Sequence, residues 1–298
     1  MIPRLIHYVY VTPSAVASLS TAYHFWASSC ARANVGFKLV LWTASDCERI
    51  AMAYSAEVGS WYSTNLSSLG TIRQADFCRL LVLRRFGGIY LDFDVLCVRS
   101  LAPLLRLPLF AADEPVEHKK RWGRRPGTLF PCNAVLGSQP HHPFWESEMA
   151  TFRERCTSWE KRHGHQHRAA RALHGAAAAA PIMTGPHMMA PVWREYRKQG
   201  RQPELVLLPT ETFYPVRAGV ERSRAFDEPR SYPNATLAAH QWGSWYTRGK
   251  LHDLGRQPLP AFLERPFDAG GNLAEGLRSI LNEESVRWVV LPSCAESA

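Results

Sequence analysis

Arg73-Gln-Ala-Asp76-Phe-Cys-Arg79-Leu-Leu-Val-Leu-Arg-Arg-Phe86-Gly87-Gly88-Ile89-Tyr90-Leu91-Asp92-Phe93-Asp94-Val95-Leu96 decides the reading of this 298-residue chain. Gly87 and Gly88 follow the last helical residues as a C-terminal stop should, and Ile89 to Val95 is a β-rich run. Strand side chains alternate, so Tyr90, Asp92 and Asp94 are expected on one face and Ile89, Leu91, Phe93 and Val95 on the other. On the preceding helix, a 100° step per residue puts Ile72, Asp76, Arg79 and Leu83 on one stripe. A charged pair therefore sits inside an apolar stripe. It reads either as a partly buried salt bridge joining helix to strand or as part of a site with Asp92 and Asp94.

Hard cations such as Mg²⁺ or Mn²⁺ take oxygen ligands. A strand-end Asp-x-Asp offers one carboxylate to metal and one to a ligand hydroxyl or metal water, which suits a metal-bound diphosphate. The same strand also fits the Asp-x-Asp entry of haloacid-dehalogenase-type phosphatases, where the first Asp is a nucleophile. Such chains put that strand first and need a later acidic pair; here the strand is third and no Asp-Asp pair follows.

Working outward, Leu5 to Val11 reads as a buried strand, Ser14 to Asn34 as a helix, and Phe37 to Trp42 as a second strand. A helix capped by Ser45 or Asp46 runs to about Glu57, and a loop continues to Gly70. Strands alternating with helices predict an α/β fold with a Rossmann-like, mostly parallel sheet whose ligands bind beyond the carboxyl ends of the strands. Later elements are a strand at Leu107 to Ala112, a basic loop at Asp113 to Gly127 that could cover the site, and a helix starting near Pro143. A helix at Pro186 to Arg197 and a strand at Glu204 to Leu208 follow. Phe213 to Val216 is edge-like and Leu251 to Asn272 loop-rich, before a short helix at Leu273 to Leu281 and a last strand at Val286 to Leu291.

A chain this long and 46% hydrophobic can bury one large core. Its formal charge of +9 favours anionic partners: nucleic acid, an anionic membrane surface or phosphorylated small molecules. No nucleic-acid module signature is present, so the basic run His118 to Arg125 reads as a solvated or membrane-facing loop, giving peripheral contact with an anionic membrane as a candidate partner. Seven cysteines without Cys-x-x-Cys spacing indicate neither a zinc site nor a disulfide framework, and predict a reducing compartment. The N-terminal segment lacks a signal-peptide or membrane-spanning layout, so the expected location is cytoplasmic, or the Golgi lumen if this is a trimmed piece of an anchored enzyme. The stretch 163–180, rich in His and Ala, matches no ligand spacing and reads as a polar helix and a connection where an acceptor could dock.

Ala75-Asp76-x-x-Arg79 followed by Phe86-Gly-Gly-Ile-Tyr-Leu-Asp-Phe-Asp94 resembles the glycosyltransferases with a sugar-binding region containing a DXD motif, and glycosyltransferase family 32 in particular. That group includes inositol phosphoceramide mannosyltransferases and α-1,4-glycosyltransferases. The resemblance extends to Ile6-His7-Tyr8-Val9-Tyr10, where Tyr10 replaces a base-stacking tryptophan. It also covers Asn133 before His142-Pro143-Phe144, the turn Thr184-Gly185-Pro186, and His240-Gln-Trp242-Gly-Ser244-Trp245.

The resemblance implies a single GT-A type catalytic domain over 1–298, with a nucleotide-sugar-binding part to about 112 and an acceptor part from about 113. It implies a metal-dependent, retaining transferase that uses Mn²⁺ or Mg²⁺ and moves a sugar from a UDP- or GDP-sugar to a hydroxyl of a glycan, glycolipid or protein. Metal ligands would be Asp94, Asp92 and His240, with Asp92 bridging metal water and a ribose or sugar hydroxyl of the donor; Asp76 and Arg79 would hold sugar hydroxyls. Tyr10 and Tyr90 would contact the nucleoside, Asn133 would contact a donor-sugar or acceptor hydroxyl, Thr184 and Gly185 would line the sugar pocket, and Ser244 and Trp245 would bond the leaving phosphate. A catalytically inactive carbohydrate-binding relative is the non-enzymatic alternative.

Overall fold

The structure is a computed structural model that describes residues 1–11, 17–66, 70–125, 127–163, 184–200, 204–215, 232–242 and 255–281. In chain order the main elements are β1 (Leu5–Tyr10), β2 (Ser18–Ser20), α1 (Thr21–Ala33), β3 (Lys38–Thr43), α2 (Ala44–Tyr54), α3 (Ala56–Trp61), α4 (Thr71–Phe86), β4 (Gly88–Leu91) and β5 (Val95–Cys97). They continue with β6 (Leu109–Ala112), α5 (Val116–Arg121), β7 (Val135–Ser138), α6 (Phe144–His163), α7 (Pro186–Lys198), β8 (Val206–Leu208), β9 (Ala238–His240), β10 (Arg256–Pro258), β11 (Leu263–Glu264) and α8 (Glu275–Arg278). Seven strands form one sheet in the order β11-β3-β1-β4-β7-β6-β8, with β7 antiparallel to both of its neighbours. This is the Rossmann-like mixed sheet expected of a GT-A type chain.

Alternation along the central strands feeds one core on each face. Leu5, Val40, Trp42 and Tyr90 join Phe77, Leu81, Trp145 and Trp193 on one side, whereas Ile6, Tyr8, Leu39, Leu41, Ile89 and Leu91 join Phe110 and Phe213 on the other. The central strands are thus buried on both faces, which places β4, and the carboxylates that follow it, in the middle of the sheet.

Several boundaries differ from expectation. The strand expected to run through Val95 stops at Leu91. Asp92 still donates its N–H to Ala134 O, but Phe93 and Asp94 form a turn, and Val95 starts β5, which leaves the main sheet to pair with β9. Asp92 and Asp94 therefore stand on a turn at the strand's carboxyl end. Before α1, Ser18–Ser20 is a strand paired with β10, and the helix begins only at Thr21, where Ser20 Oγ accepts the N–H of Tyr23. The segment expected as a loop to Gly70 contains α3, capped by Ser55, and a π-helical turn over Tyr62–Leu66. Phe213 and Tyr214 are buried without strand pairing, β10 and β11 lie inside the stretch expected to be loop, and Val286 to Leu291 lies outside the described residues.

The expected basic cover is pinned in place. Lys119 is buried, with its Nζ 2.5 Å from Asp113 Oδ2 and donating to Thr128 O, while Asp113 Oδ1 accepts the N–H of Phe130. Only part of the cluster, including Lys120 and Arg125, is exposed.

His7 has a structural role. Its ring is buried, Nδ1 accepts from Trp42 Nε1 at 3.1 Å, and Nε2 therefore donates to Gly87 O at 2.8 Å. A Cβ on Gly88 would stand 2.6 Å from that same Nε2, and Gly88 has φ +90°, so glycine is required on two counts. Burial lowers the His7 pKa to about 4, against the pull of the Gly87 carbonyl. A histidine held neutral in the fold favours folding above its unfolded pKa, and that advantage is lost as pH falls from about 6.5 to about 4. Urea titrations are expected to show ~3 kcal/mol lost over that range, and a His7→Gln variant to lack this component.

The absence of a disulfide framework is corrected. Cys30 pairs with Cys97, tying α1 to β5, and Cys47 pairs with Cys78, tying α2 to α4; Cys132 and Cys156 are buried and lie outside these two bridges. The bridges span 67 and 31 residues, separations that form no recognisable short motif. Loop-closure entropy assigns each about 4 kcal/mol. Reduction is expected to release four additional alkylatable thiols and to lower the thermal midpoint by roughly 10 °C. A thiol count unchanged by reductant would refute both pairings.

Candidate functional site

At the carboxyl end of β4, side chains from five parts of the chain meet. Asp76 and Arg79 lie one turn apart on α4, and Arg79 Nη2 donates to Asp76 Oδ1 at 2.5 Å with both side chains buried. Arg79 Nη1 donates to Asn133 O at 2.7 Å and lies 3.3 Å from Asp92 Oδ1; the guanidinium carbon is 4.4 Å from the centre of the Tyr90 ring. Tyr90 donates to the same Asp92 oxygen at 2.6 Å. Asp76 also accepts from Thr184 Oγ1 at 2.5 Å and, at 3.5 Å, from Asn133 Nδ2. The two readings of the Asp76/Arg79 pair therefore coincide: it is a buried salt bridge, and it is wired to Asp92.

His240 arrives from the far end of the chain. β5 and β9 pair antiparallel with Val95 opposite His240, and Gln241 N–H donates to Asp94 O at 2.8 Å. This ladder sets His240 Nε2 3.0 Å from Asp94 Oδ1 and 3.9 Å from Asp92 Oδ2. One donor atom from each of Asp92, Asp94 and His240 falls within 4.8 Å of the others. Two carboxylates and an imidazole converging in this way suit a divalent cation of the Mn²⁺ or Mg²⁺ kind, with oxygen ligands in the majority.

The electrostatics are strained in the sense such a cation would relieve. Burial raises the pKa of Asp92, Arg79 opposes this, and Asp94 adds to it. Burial likewise raises Asp76, with Arg79 and Thr184 opposing. For His240 burial favours the neutral ring, but Asp94 and Asp92 outweigh it and the pKa is raised. Arg79 keeps its charge because Tyr90, Asp76 and Asp92 together outweigh its burial.

Of the residues singled out in the sequence, Asp76, Arg79, Tyr90, Asp92, Asp94, Asn133, Thr184 and His240 thus form one bonded network. Gly185 caps α7 and accepts the N–H of Met188. Tyr10 stands apart from the network at the end of β1, edge-on to Phe93 at 5.5 Å and to Tyr23 at 6.2 Å. Ser244 and Trp245, and the histidines at 165, 167 and 174, lie outside the described residues. Two residues were not anticipated. Tyr23 stacks on Phe93, the central residue of Asp-x-Asp, at 5.3 Å, and Trp242, at φ +54°, wedges between His240 at 4.2 Å and His118 at 4.4 Å. Tyr23 falls in a stretch read only as a helix, and local sequence carries no sign that Trp242 meets His118.

Residues 21–111 match the family described as "Glycosyltransferase sugar-binding region containing DXD motif". Among curated proteins, the chain is 25% identical over 204 residues to the mannosyl phosphorylinositol ceramide synthase SUR1 of Saccharomyces cerevisiae, covering 66% of this chain and 43% of that protein. It is 33% identical over 145 residues to inositol phosphoceramide mannosyltransferase 3 of Schizosaccharomyces pombe, covering 48% and 35%. The chain thus spans less than half the length of these relatives. Among solved structures, the PaToxG glycosyltransferase aligns with TM-score 0.45 at 13% identity, covering 67% of this chain and 70% of that one. The galactosyltransferase LgtC in complex with donor and acceptor sugar analogues aligns with TM-score 0.43 at 12% identity, covering 86% and 98%.

Removing Asp76 would leave Arg79 buried with a reduced set of partners. Asp76→Ala is expected to cost about 3 kcal/mol in urea unfolding, and Thr184→Val, which deletes a single hydrogen bond to the carboxylate, about 1 kcal/mol.

Proposed function

Because this chain is related to the glycosyltransferases whose sugar-binding region contains a DXD motif, we propose that it is itself a transferase that moves a sugar from a nucleoside diphosphate sugar to an acceptor hydroxyl. The observation that carries this reading is the continuous network from Thr184 through Asp76, Arg79 and Asp92 to the Asp92, Asp94 and His240 cluster. Sugar-hydroxyl partners and diphosphate-metal ligands adjoin there at the end of one central strand.

Asp94 and His240, with Asp92, hold Mn²⁺ or Mg²⁺ in this proposal; when bound, the ion supplies Lewis-acid stabilisation of the leaving diphosphate. Asp76 and Arg79, fixed by each other and by Thr184 and Asn133, orient the donor sugar. Tyr10 stacks on the base, Tyr90 holds Asp92 toward the ribose, and Ser244 and Trp245 bond the leaving phosphate. The acceptor oxygen bonds to the anomeric carbon as the bond from that carbon to the diphosphate breaks, and the hydroxyl proton passes to the departing phosphate oxygen. Attack and departure on one face give retention. Asp92 Oδ1 accepts from Tyr90 and faces Arg79, a setting for a binding carboxylate rather than the free nucleophile of a phosphatase.

The acceptor is a membrane glycolipid in this reading. The names of the yeast relatives support that choice, and the exposed basic residues Lys120 and Arg125 would add contact with an anionic surface. Residues 1–112 serve the donor and the remainder serves the acceptor. Of the two locations expected, cytoplasm and Golgi lumen, the two disulfides favour an oxidising one.

The test is release of UDP or GDP from a panel of nucleotide sugars with Mn²⁺. Asp92→Asn and Asp94→Asn, each with an unchanged circular dichroism spectrum, should lower it by roughly a hundred-fold or more. Release that survives both substitutions would remove the site assignment, and an inverted product anomer by NMR would remove retention.

A further inference from the structure

We propose that the hydroxyl of Tyr23 hydrogen-bonds a ribose hydroxyl of the donor nucleotide, so that Tyr23 sets a preference for ribonucleotides over their deoxy forms. The inference rests on the donor being a nucleoside diphosphate sugar, as proposed above, and adds a second partner for its ribose beside Asp92, which Tyr90 holds toward it.

Tyr23 lies in the first turn of α1, where Ser20 caps its backbone N–H at 3.3 Å and so fixes where its side chain starts. Its ring stacks on Phe93 at 5.3 Å and meets Tyr10 edge-on at 6.2 Å. Phe93 is itself stacked by Tyr8 at 4.7 Å, and its two chain neighbours are the carboxylates of the site. Tyr23 therefore bridges the aromatic at the end of β1 and the Asp92/Asp94 turn. In a nucleoside diphosphate, the unit that joins base to diphosphate is the ribose. With the base on Tyr10 and the diphosphate at Asp94 and His240, the ribose falls where Tyr23 stands.

The chemistry of the hydroxyl suits that neighbour. Burial first, then the charges of Asp94, Tyr10 and Asp92, push the phenol well above its ordinary range, so it keeps its proton at neutral pH. The residue keeps some exposure, and its hydroxyl has no hydrogen-bond partner among the described residues. A phenol both donates and accepts, as a ribose hydroxyl does, whereas the nearby carboxylates only accept and are drawn toward a cation. The competing role for Tyr23 is packing alone, with the ring holding the Phe93 turn in place.

Tyr23→Phe separates the two roles, because it keeps the ring and deletes only the hydroxyl. Calorimetric Kd values for UDP and GDP, with the 2′-deoxy and 3′-deoxy forms of whichever binds, would be measured in Mn²⁺ for the wild type and Tyr23→Phe. The expected result is a penalty of about five-fold in the wild type on removing one ribose hydroxyl, and a similar loss for the ribonucleotide in Tyr23→Phe. In the variant, removing that ribose hydroxyl should cost nothing further, since the two changes delete the same bond. Equal weakening of ribo- and deoxynucleotides by Tyr23→Phe would assign Tyr23 to packing and overturn the proposal, as would unchanged binding of all forms. Failure of the folded wild type to bind either nucleotide would instead overturn the donor assignment, and this proposal with it.

Discussion

Arg79 is the buried cation on which the head of β4 depends. Its guanidinium touches Asp76 and Asp92 and packs over Tyr90, and its side chain is only 6% exposed. Burying such a group costs several kcal/mol unless its donors are matched; here two carboxylates and the Asn133 carbonyl face its two Nη groups, while Nε is buried with no hydrogen-bond partner among the described residues. The planar fork of an arginine can serve all three at once, which a lysine could not. The carboxylates still crowd one another: burial, with the charge of Asp94, raises the pKa of Asp92, and burial raises that of Asp76, while His240 lies 3.0 Å from Asp94 Oδ1. Carboxylates that converge in this way are ones a divalent cation would stabilise.

The position of this cluster is set one turn earlier by steric fit. Gly87 and Gly88 both take positive φ. A side chain on Gly87 would strike Pro140 N at 2.5 Å, and one on Gly88 would strike His7. The imidazole of His7 acts as a spacer between β1 and the start of β4, bonded to the carbonyl of Gly87 and to Trp42 on β3. Three parallel strands are thereby held at one height, and the turn that carries the carboxylates inherits that height. The disulfides act on the same region from outside. Cys78 lies between Asp76 and Arg79, and Cys97 follows Asp94 by three residues, so each bridge braces an element that carries the site.

Much of this was legible in the sequence because it is local. The α4 stripe, the glycine stop and the placement of Tyr90 and Ile89 on opposite faces follow from helical and strand periods over a dozen residues. The strand was expected to run on through Val95 because Phe93 and Val95 are good strand formers. It ends early because β5 finds its partner in β9, and nothing near Val95 in the sequence announces a strand more than 140 residues later. The disulfides were missed for the same reason, since pairing depends on where α1 and α2 lie against the sheet. The basic run His118 to Arg125 looked like an open loop because composition cannot show that Lys119 turns inward to Asp113, or that His118 and Arg124 pack against Trp242 and Phe130. Recognition of Asn133, Thr184 and His240 came from their resemblance to a known pattern, and their spacing from Asp76 in the chain carries no physical signal.

The Asp92, Asp94 and His240 cluster, a candidate cation site, depends on a distant strand. An Asp-x-Asp turn supplies two oxygen ligands, but their separation and direction are free until something fixes the turn. Here the fixing is done by the β5–β9 ladder, in which Gln241 N–H bonds to the carbonyl of Asp94 itself, and by the stacking of Tyr8 and Tyr23 on Phe93. The backbone bond that brings His240 into range is therefore the one that orients Asp94. A chain cut before β9 would lose the imidazole and also the geometry of the carboxylate that the motif appears to supply by itself. The motif is best regarded as half of a candidate cation site, and the ladder to His240 as the part that completes its donor set.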